Sequence, residues 1–313
     1  MVIYEIIQNK RKGEGKMGKK NKAVTVPRKK EKFRLLPYLL LVPSLIPFAC
    51  FTYYPFIKTI ISSFAITTET GEFIKWAGFT NWARLFDSDL LEILGITFKF
   101  AAWNLVLTFS IAMVFALISA NKVKGSKIYQ TLYALPMAIA SSPAAAIWIF
   151  VYRENGGILN QIFGTKIAWL NNPDTALFAV ALVTVWTHVA SSYIYLLVGF
   201  RNVSDDLIEA ARIDGANALV RTFKIMIPMA SPQIFFVLFL NIVNAFKAFA
   251  QIKLLTNGGP GGATSTLIFE IYYRVMKHGQ YEYGCCLAIV LFVVIFTITR
   301  IQFLFEKRMV HYQ

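Results

Sequence analysis

Three groups of residues have types and spacings that could do chemistry. The first is Glu209-Ala210-Ala211-Arg212-Ile213-Asp214-Gly215, followed ten residues later by Ile225-Met226-Ile227-Pro228. Charges alternate there with small residues that admit a close neighbour, which suits docking onto a partner's groove rather than making or breaking a bond. The second is Asn241, Asn244 and Lys247, three residues apart and so on one broad helical face, with Phe246 and Phe249 nearby. Aromatic faces and amide groups suit a water-filled cavity that holds a polar ligand. An unpaired amide in lipid is costly, so this face must look at a pore or at another helix. Both readings, substrate contact and hydrogen-bonded helix packing, stand for these residues. The third group is Trp186, His188, Ser191, Ser192 and Tyr193, for which packing is the favoured reading.

Bond-making chemistry finds little support. His188, His278 and His311 are far apart in sequence and have no metal-ligand spacing. Cys50, Cys285 and Cys286 fall in apolar runs and read as small core residues. The stretch Gly258-Gly259-Pro260-Gly261-Gly262 lacks the lysine of a phosphate-binding loop and reads as a flexible outer turn. No metal or directly bound cofactor is expected.

The elements that must position these groups are membrane helices. Of 313 residues 56% are hydrophobic and only 16% charged, against about 25% charged in soluble domains. Six apolar runs, near 35–62, 92–120, 128–152, 175–200, 226–250 and 284–304, are each long enough to cross a bilayer as a helix. The fold class is therefore all-α membrane protein, with six transmembrane helices and a cytoplasmic helix between the fourth and fifth. Pro37, Pro43, Pro47 and Pro55 predict a kinked or interrupted first span. The formal charge of +15 reflects basic residues in the arm 1–34, in Asn121–Lys127, in 201–225 and in the tail, all on one side of a six-span topology. Positive loops stay inside, so both termini are expected in the cytoplasm and the charge is read as topology control and lipid contact, not nucleic-acid binding. Lys58, Lys99 and Lys247 lie near outer span ends, where long stems can snorkel, and Trp76, Trp82, Trp148 and Trp169 are placed as an outer aromatic belt. Residues 1–34 read as a disordered basic cytoplasmic arm, with a second plausible start at Met17 and no cleavable signal. The domain expected to carry function is 35–308, with 309–313 as a cytoplasmic tail.

Between the fourth and fifth runs, Ser204-Asp205-Asp206 predicts a capped helix start and a helix over about 205–218. A helix that merely lay on lipid would carry Lys and Arg on its polar face. This one carries Asp205, Asp206, Glu209 and Asp214, which favours a protein partner. Pro228 is tolerated in the first turn of the next run.

The pattern Glu209-Ala210-Ala211, then Gly215, then Ile225 and Pro228 resembles the cytoplasmic loop signature of permease subunits of bacterial ABC importers, with Ile227 where Leu is usual. Asp214-Gly215-Ala216 is similar to the sugar-importer version. Pro37-Tyr38 through Tyr54-Pro55, Gly78-Phe79-Thr80-Asn81-Trp82, Trp169-Leu170-Asn171-Asn172-Pro173 and Leu255-Thr256-Asn257-Gly258-Gly259-Pro260-Gly261 extend the resemblance over about 35–308. They point to the maltose/glycerol-3-phosphate type of carbohydrate permease.

The resemblance implies a non-catalytic subunit in the bacterial plasma membrane. Glu209, Ala210, Ala211, Asp214 and Gly215 would form a coupling helix seated in a separate ATPase, driving alternating access. It implies a second homologous permease and two ATP-binding cassette subunits, which bind ATP and Mg. It also implies an extracytoplasmic sugar-binding lipoprotein, whose contact lies toward the Gly258–Gly262 loop. The competing readings are a stand-alone secondary transporter or channel and a membrane-embedded enzyme. The first would need intramembrane carboxylates for ion coupling, and the run centres have essentially none. The second would need His/Asp/Glu clusters at the membrane face, and the scattered histidines supply none.

Overall fold

The computed structural model describes residues 36–86, 89–120 and 126–309. The basic arm, Asn121–Gly125 of the basic loop and the last four residues lie outside these. The chain divides into two compact units, 1–52 and 53–313.

Within the described part of the first unit, α1 (Leu36–Phe48) contains Pro43 and Pro47, and a π-helical turn, Ala49–Tyr53, begins there. In the second unit, α2 (Tyr54–Ser63) leads into a small hairpin of β1 (Ala65–Thr67) and β2 (Phe73–Trp76), paired antiparallel with a bulge between Ile66 and Thr67. α3 (Thr80–Phe86) precedes the long α4 (Leu90–Ala120). Next come α5 (Ser126–Ala134), a 3₁₀ turn Leu135–Ala138, α6 (Ser141–Val151) and α7 (Ile158–Phe163). α8 (Pro173–Arg201) is followed by α9 (Asp205–Ile213), α10 (Ala218–Arg221), a second π turn Thr222–Met226 and α11 (Ile227–Met229). α12 (Ser231–Phe246), α13 (Ala250–Leu255), α14 (Leu267–His278) and α15 (Tyr281–Met309) complete the described chain.

Five helical stretches are long and apolar enough to cross a membrane: Leu39–Ser63, Leu90–Ala120, Pro173–Arg201, Ser231–Leu255 and Tyr281–Glu306. The expected third span differs. It is two helices, Lys127–Ala138 and Ser141–Val151, bent by 104° at the break, and it makes a sixth crossing only if the pair is one broken span. Pro136 in the 3₁₀ turn and Pro143 in the next helix supply the cause, since neither can donate the bond that would continue a straight helix. The expected disturbance of the first span is also present. Both π turns among the described residues end two residues before a proline, Tyr53 before Pro55 and Met226 before Pro228. A widened turn relieves the clash of the proline ring with the preceding turn and leaves its missing N–H unneeded.

α8 is the central helix. Its start is fixed by Asn172, which accepts a bond from the Asp174 amide at 3.0 Å, with Pro173 in the first turn and Asp174 at the positive end of the dipole; Arg201 sits at the other end. Ala112 and Ala116 of α4 are fully buried in a cluster with Val189, Tyr193, Leu196, Leu197 and Phe200 of α8. Small residues let the two helices close together, the packing that associates helices where burial from water no longer discriminates. Across this contact the Tyr193 hydroxyl donates to Ser119 Oγ at 3.1 Å. A second cluster joins α3, α4, α12, α14 and α15 through Leu85, Ile93, Phe246, Leu267 and Leu287.

The aromatic belt is narrower than the sequence suggests. Trp76 is exposed, but Trp82, Trp148 and Trp169 are partly buried. Trp169 Nε1 donates to Asn160 Oδ1 at 2.9 Å, and the Trp148 ring lies against Trp186 and Tyr152. These tryptophans have an apolar body and one donor, so packing competes with the interface for them. Lys58 reaches over the Tyr281 ring, with its ammonium 5.9 Å from the centroid.

Candidate functional site

The motif segment forms α9, shorter than the expected 205–218. Ser204 caps it by accepting from the Asp206 amide at 3.2 Å, and Asp205 and Asp206 occupy the first turn. It stops at Ile213 because Gly215 takes φ +79°. The Gly215 amide bonds the Arg212 carbonyl at 3.1 Å and the Ala216 amide bonds the Ala211 carbonyl at 2.9 Å. This is the paired-bond termination that a glycine in the left-handed region permits. Asn217 then restarts the helix by accepting from the Val220 amide at 2.8 Å.

α9 contains no fully buried residue. Ile208 is half-buried and packs on the Phe200–Met226 end of the central cluster, and Ala211 is half-buried beside it. Glu209, Ala210, Asp214 and Gly215 are exposed. So are large apolar side chains nearby: Ile213 is 81% exposed, Leu219 68% and Phe223 63%. A β-carbon built at Gly215 would meet no atom of this chain within 4 Å. Beyond its backbone angle, nothing inside the chain requires that position to be bare.

The expected pathway residues separate. Asn241 is 5% exposed and its Oδ1 accepts from Ser192 Oγ at 2.7 Å, tying α12 to α8. Its amide nitrogen is buried with no partner among the described residues. Asn244 and Lys247 are exposed, and Lys247 lies where α12 ends, its amide bonded to the Val243 carbonyl at 3.2 Å. In the other polar group, Ser192 and Tyr193 are buried and bonded between helices, while His188 and Ser191 are half-buried. The inter-helix bond of Asn241 was not legible, because its partner lies 49 positions away.

The glycine-rich loop after α13 also differs from the flexible turn expected. Asn257, Gly258, Gly261 and Gly262 have positive φ. Thr264 is fully buried, donates through Oγ1 to the Gly259 carbonyl at 2.8 Å and shares a 2.7 Å bond with Thr256 Oγ1. The Leu267 amide donates to Thr97 Oγ1 of α4 at 2.8 Å. Glu270, buried, accepts from Ser265 Oγ at 2.8 Å and pairs with Arg274 at 2.6 Å. A β-carbon at Gly258 would lie 2.3 Å from Phe269 Cε1. Buried hydroxyls and a paired carboxylate hold the loop, where composition alone suggested slack. Among the described residues, no group of three or more His, Cys, Asp or Glu side chains is placed to hold a metal ion.

Comparisons with known proteins give the family and the fold. The model of the family described as binding-protein-dependent transport system inner membrane component matches residues 112–311. The sn-glycerol-3-phosphate transport system permease protein UgpA of Escherichia coli (strain UTI89 / UPEC) is 33% identical over 285 residues, covering 90% of this chain and 97% of that protein. A chain of a bacterial ABC transporter involved in the import of the acidic polysaccharide alginate has the same fold, with TM-score 0.78 at 21% identity over 88% of this chain and 96% of that one. The same holds for the alginate transporter solved in complex with an alginate pentasaccharide-bound periplasmic protein, at TM-score 0.77 and 21% identity over 87% and 94%. A family match over most of the second unit, on a multi-span chain with an exposed helical loop, identifies the protein as a member of the binding-protein-dependent transport system inner membrane component family, a multi-pass membrane permease subunit.

Proposed function

We propose that this chain forms half of the translocation pathway of an ATP-driven, binding-protein-dependent carbohydrate importer. A separate ATPase drives it through α9. The observation that carries this reading is the combination at α9. Its outer face of Glu209, Ala210, Asp214 and Gly215 is left uncovered beside exposed Ile213 and Leu219, and the space over Gly215 is empty. Bare glycine and alanine beside exposed apolar groups suit insertion into a partner's cleft.

The partners follow from that role: a second homologous permease, two ATP-binding cassette subunits that hold ATP and Mg, and an extracytoplasmic sugar-binding lipoprotein. The chain itself makes no bond-making contribution. The bias of Lys and Arg toward one set of loops supports a topology with α9 and both termini in the cytoplasm of a bacterial cell. The permease domain is taken as 35–308. Asn244 and Lys247, exposed on α12, are assigned to the pathway, while Asn241 serves by positioning α12 against Ser192. Similarity to a glycerol-3-phosphate permease and an alginate importer supports a carbohydrate or a related polyol phosphate as cargo.

Purification from native membranes in a mild detergent tests the reading. An ATPase and a second permease are expected to travel with the chain, and the complex should hydrolyse ATP faster with the loaded binding protein. A chain that purifies alone and conducts solute without ATP would overturn it.

A further inference from the structure

Beneath α9, on the side away from its exposed motif face, lies a cavity of about 510 Å³. It is walled by the end of α8, by α9 and by α10. Arg201, Arg212 and Arg221 line it, against a single carboxylate, Asp205. Asp205, Ile208 and Arg212 are three and four residues apart, so one face of α9 looks into the cavity, with Glu209 at its edge and Ala210 and Asp214 on the far side.

Two of the guanidiniums are anchored by backbone oxygens. Arg221 Nη1 donates to the Ala216 carbonyl at 2.7 Å, and Arg201 Nη2 reaches the Ser119 carbonyl at 3.5 Å. The Arg212 side chain makes no hydrogen bond or ion pair among the described residues. Each anchored fork keeps further N–H groups available, and Thr222 adds a hydroxyl to the wall. Three guanidiniums around one hollow outnumber its one lining carboxylate, Asp205, so a further anion there would relieve their mutual repulsion. The planar fork matches a tetrahedral oxyanion in two-point geometry.

We propose that this cavity is a phosphate-binding site that braces α9 and α10 against the end of α8. The ligand chemistry is a phosphate group, supplied either by an anionic lipid headgroup from the adjoining leaflet or by a free phosphate in solution. Occupied, the site would clamp the loop that meets the ATPase to the central span, and empty it would leave the loop looser. The site is lined by none of the residues assigned to the ATPase, and Ala210 and Asp214 lie on the far side of α9, so it stands whether or not that assignment does.

The test measures thermal stability of the purified transporter complex in nanodiscs. In phosphatidylcholine discs, inorganic phosphate is titrated against chloride at matched ionic strength. In a second arm, phosphatidylglycerol is added to the discs with chloride only. The same is done for Arg212→Gln, whose side chain holds no other bond, and for Arg212→Lys, which keeps the charge. The expected result is saturable stabilisation of the wild type, with the half-saturating concentration raised about tenfold in Arg212→Gln and less in Arg212→Lys. Stabilisation by inorganic phosphate assigns the site to free phosphate. Stabilisation by phosphatidylglycerol alone assigns it to lipid. If wild type and Arg212→Gln respond alike in both arms, the site does not exist.

Discussion

Two glycine-bearing loops carry the strongest motifs of this chain, and they are built in opposite ways. The loop after α13 is closed on itself. Thr264 is buried and bonded twice, the Leu267 amide is tied to Thr97, and Gly258 is bare because Phe269 fills the space a side chain would need. The loop after α8 is open. Its termination bonds are local, its apolar side chains face outward, and Gly215 has nothing over it. A glycine explained by its own chain serves the fold. Gly215, like Gly261 and Gly262 of the outer loop, has only its φ to explain it, and what sets its loop apart is the exposed Ile213, Leu219 and Phe223 beside it. Under the proposed function, the first loop serves architecture and the second a partner.

Substitutions can break or sharpen the contrast. The largest effect is expected at Gly258→Ala, where left-handed strain adds to a clash with Phe269, together about 3 kcal/mol. Thermal unfolding of the solubilised protein measures it, and a wild-type midpoint would mean that the outer loop is not braced as described. Next is Thr264→Val, which keeps the shape but deprives the Gly259 carbonyl of its donor and the Thr256 hydroxyl of one of its two partners. It should cost about 2 kcal/mol by the same measurement. Asn241→Leu strips Ser192 of its acceptor and should cost about 1 kcal/mol, with uptake lowered through altered helix placement. Asn244→Leu should leave the unfolding midpoint unmoved and reduce uptake. A loss of stability there, with normal uptake, would reverse the roles assigned to the two amides. Gly215→Ala should cost about 1 kcal/mol in thermal unfolding, well below Gly258→Ala, since only backbone strain opposes it.

Much of this contrast was present in the chain before folding. Ser204 with Asp205 and Asp206 set the start of α9, and the acids argued against a helix lying on lipid. The expected helix over 205–218 overruns the true end at Ile213, because the positive φ of Gly215 stops it and residue type alone does not announce that angle. Spans with continuous apolar runs were legible. The third was not, because Pro136 and Pro143 act through bonds they fail to make, and hydropathy is blind to those. The rigidity of the outer loop depends on Thr97, more than 150 positions upstream of Leu267, and no local pattern announces it. The arginine-lined cavity has the same origin: Arg201, Arg212 and Arg221 read singly as inside-positive charges, and only the turn at Gly215 brings α10 back beside α9.

The most direct test of the partner surface is Gly215→Trp in the intact transporter, with ATPase retention and unfolding midpoint measured on the same preparation. The open space around Gly215 predicts a chain that inserts in the membrane and unfolds near the wild-type temperature, yet loses its ATPase on purification and no longer imports. A variant that keeps its ATPase and transports normally would contradict the assignment of α9 as the coupling surface.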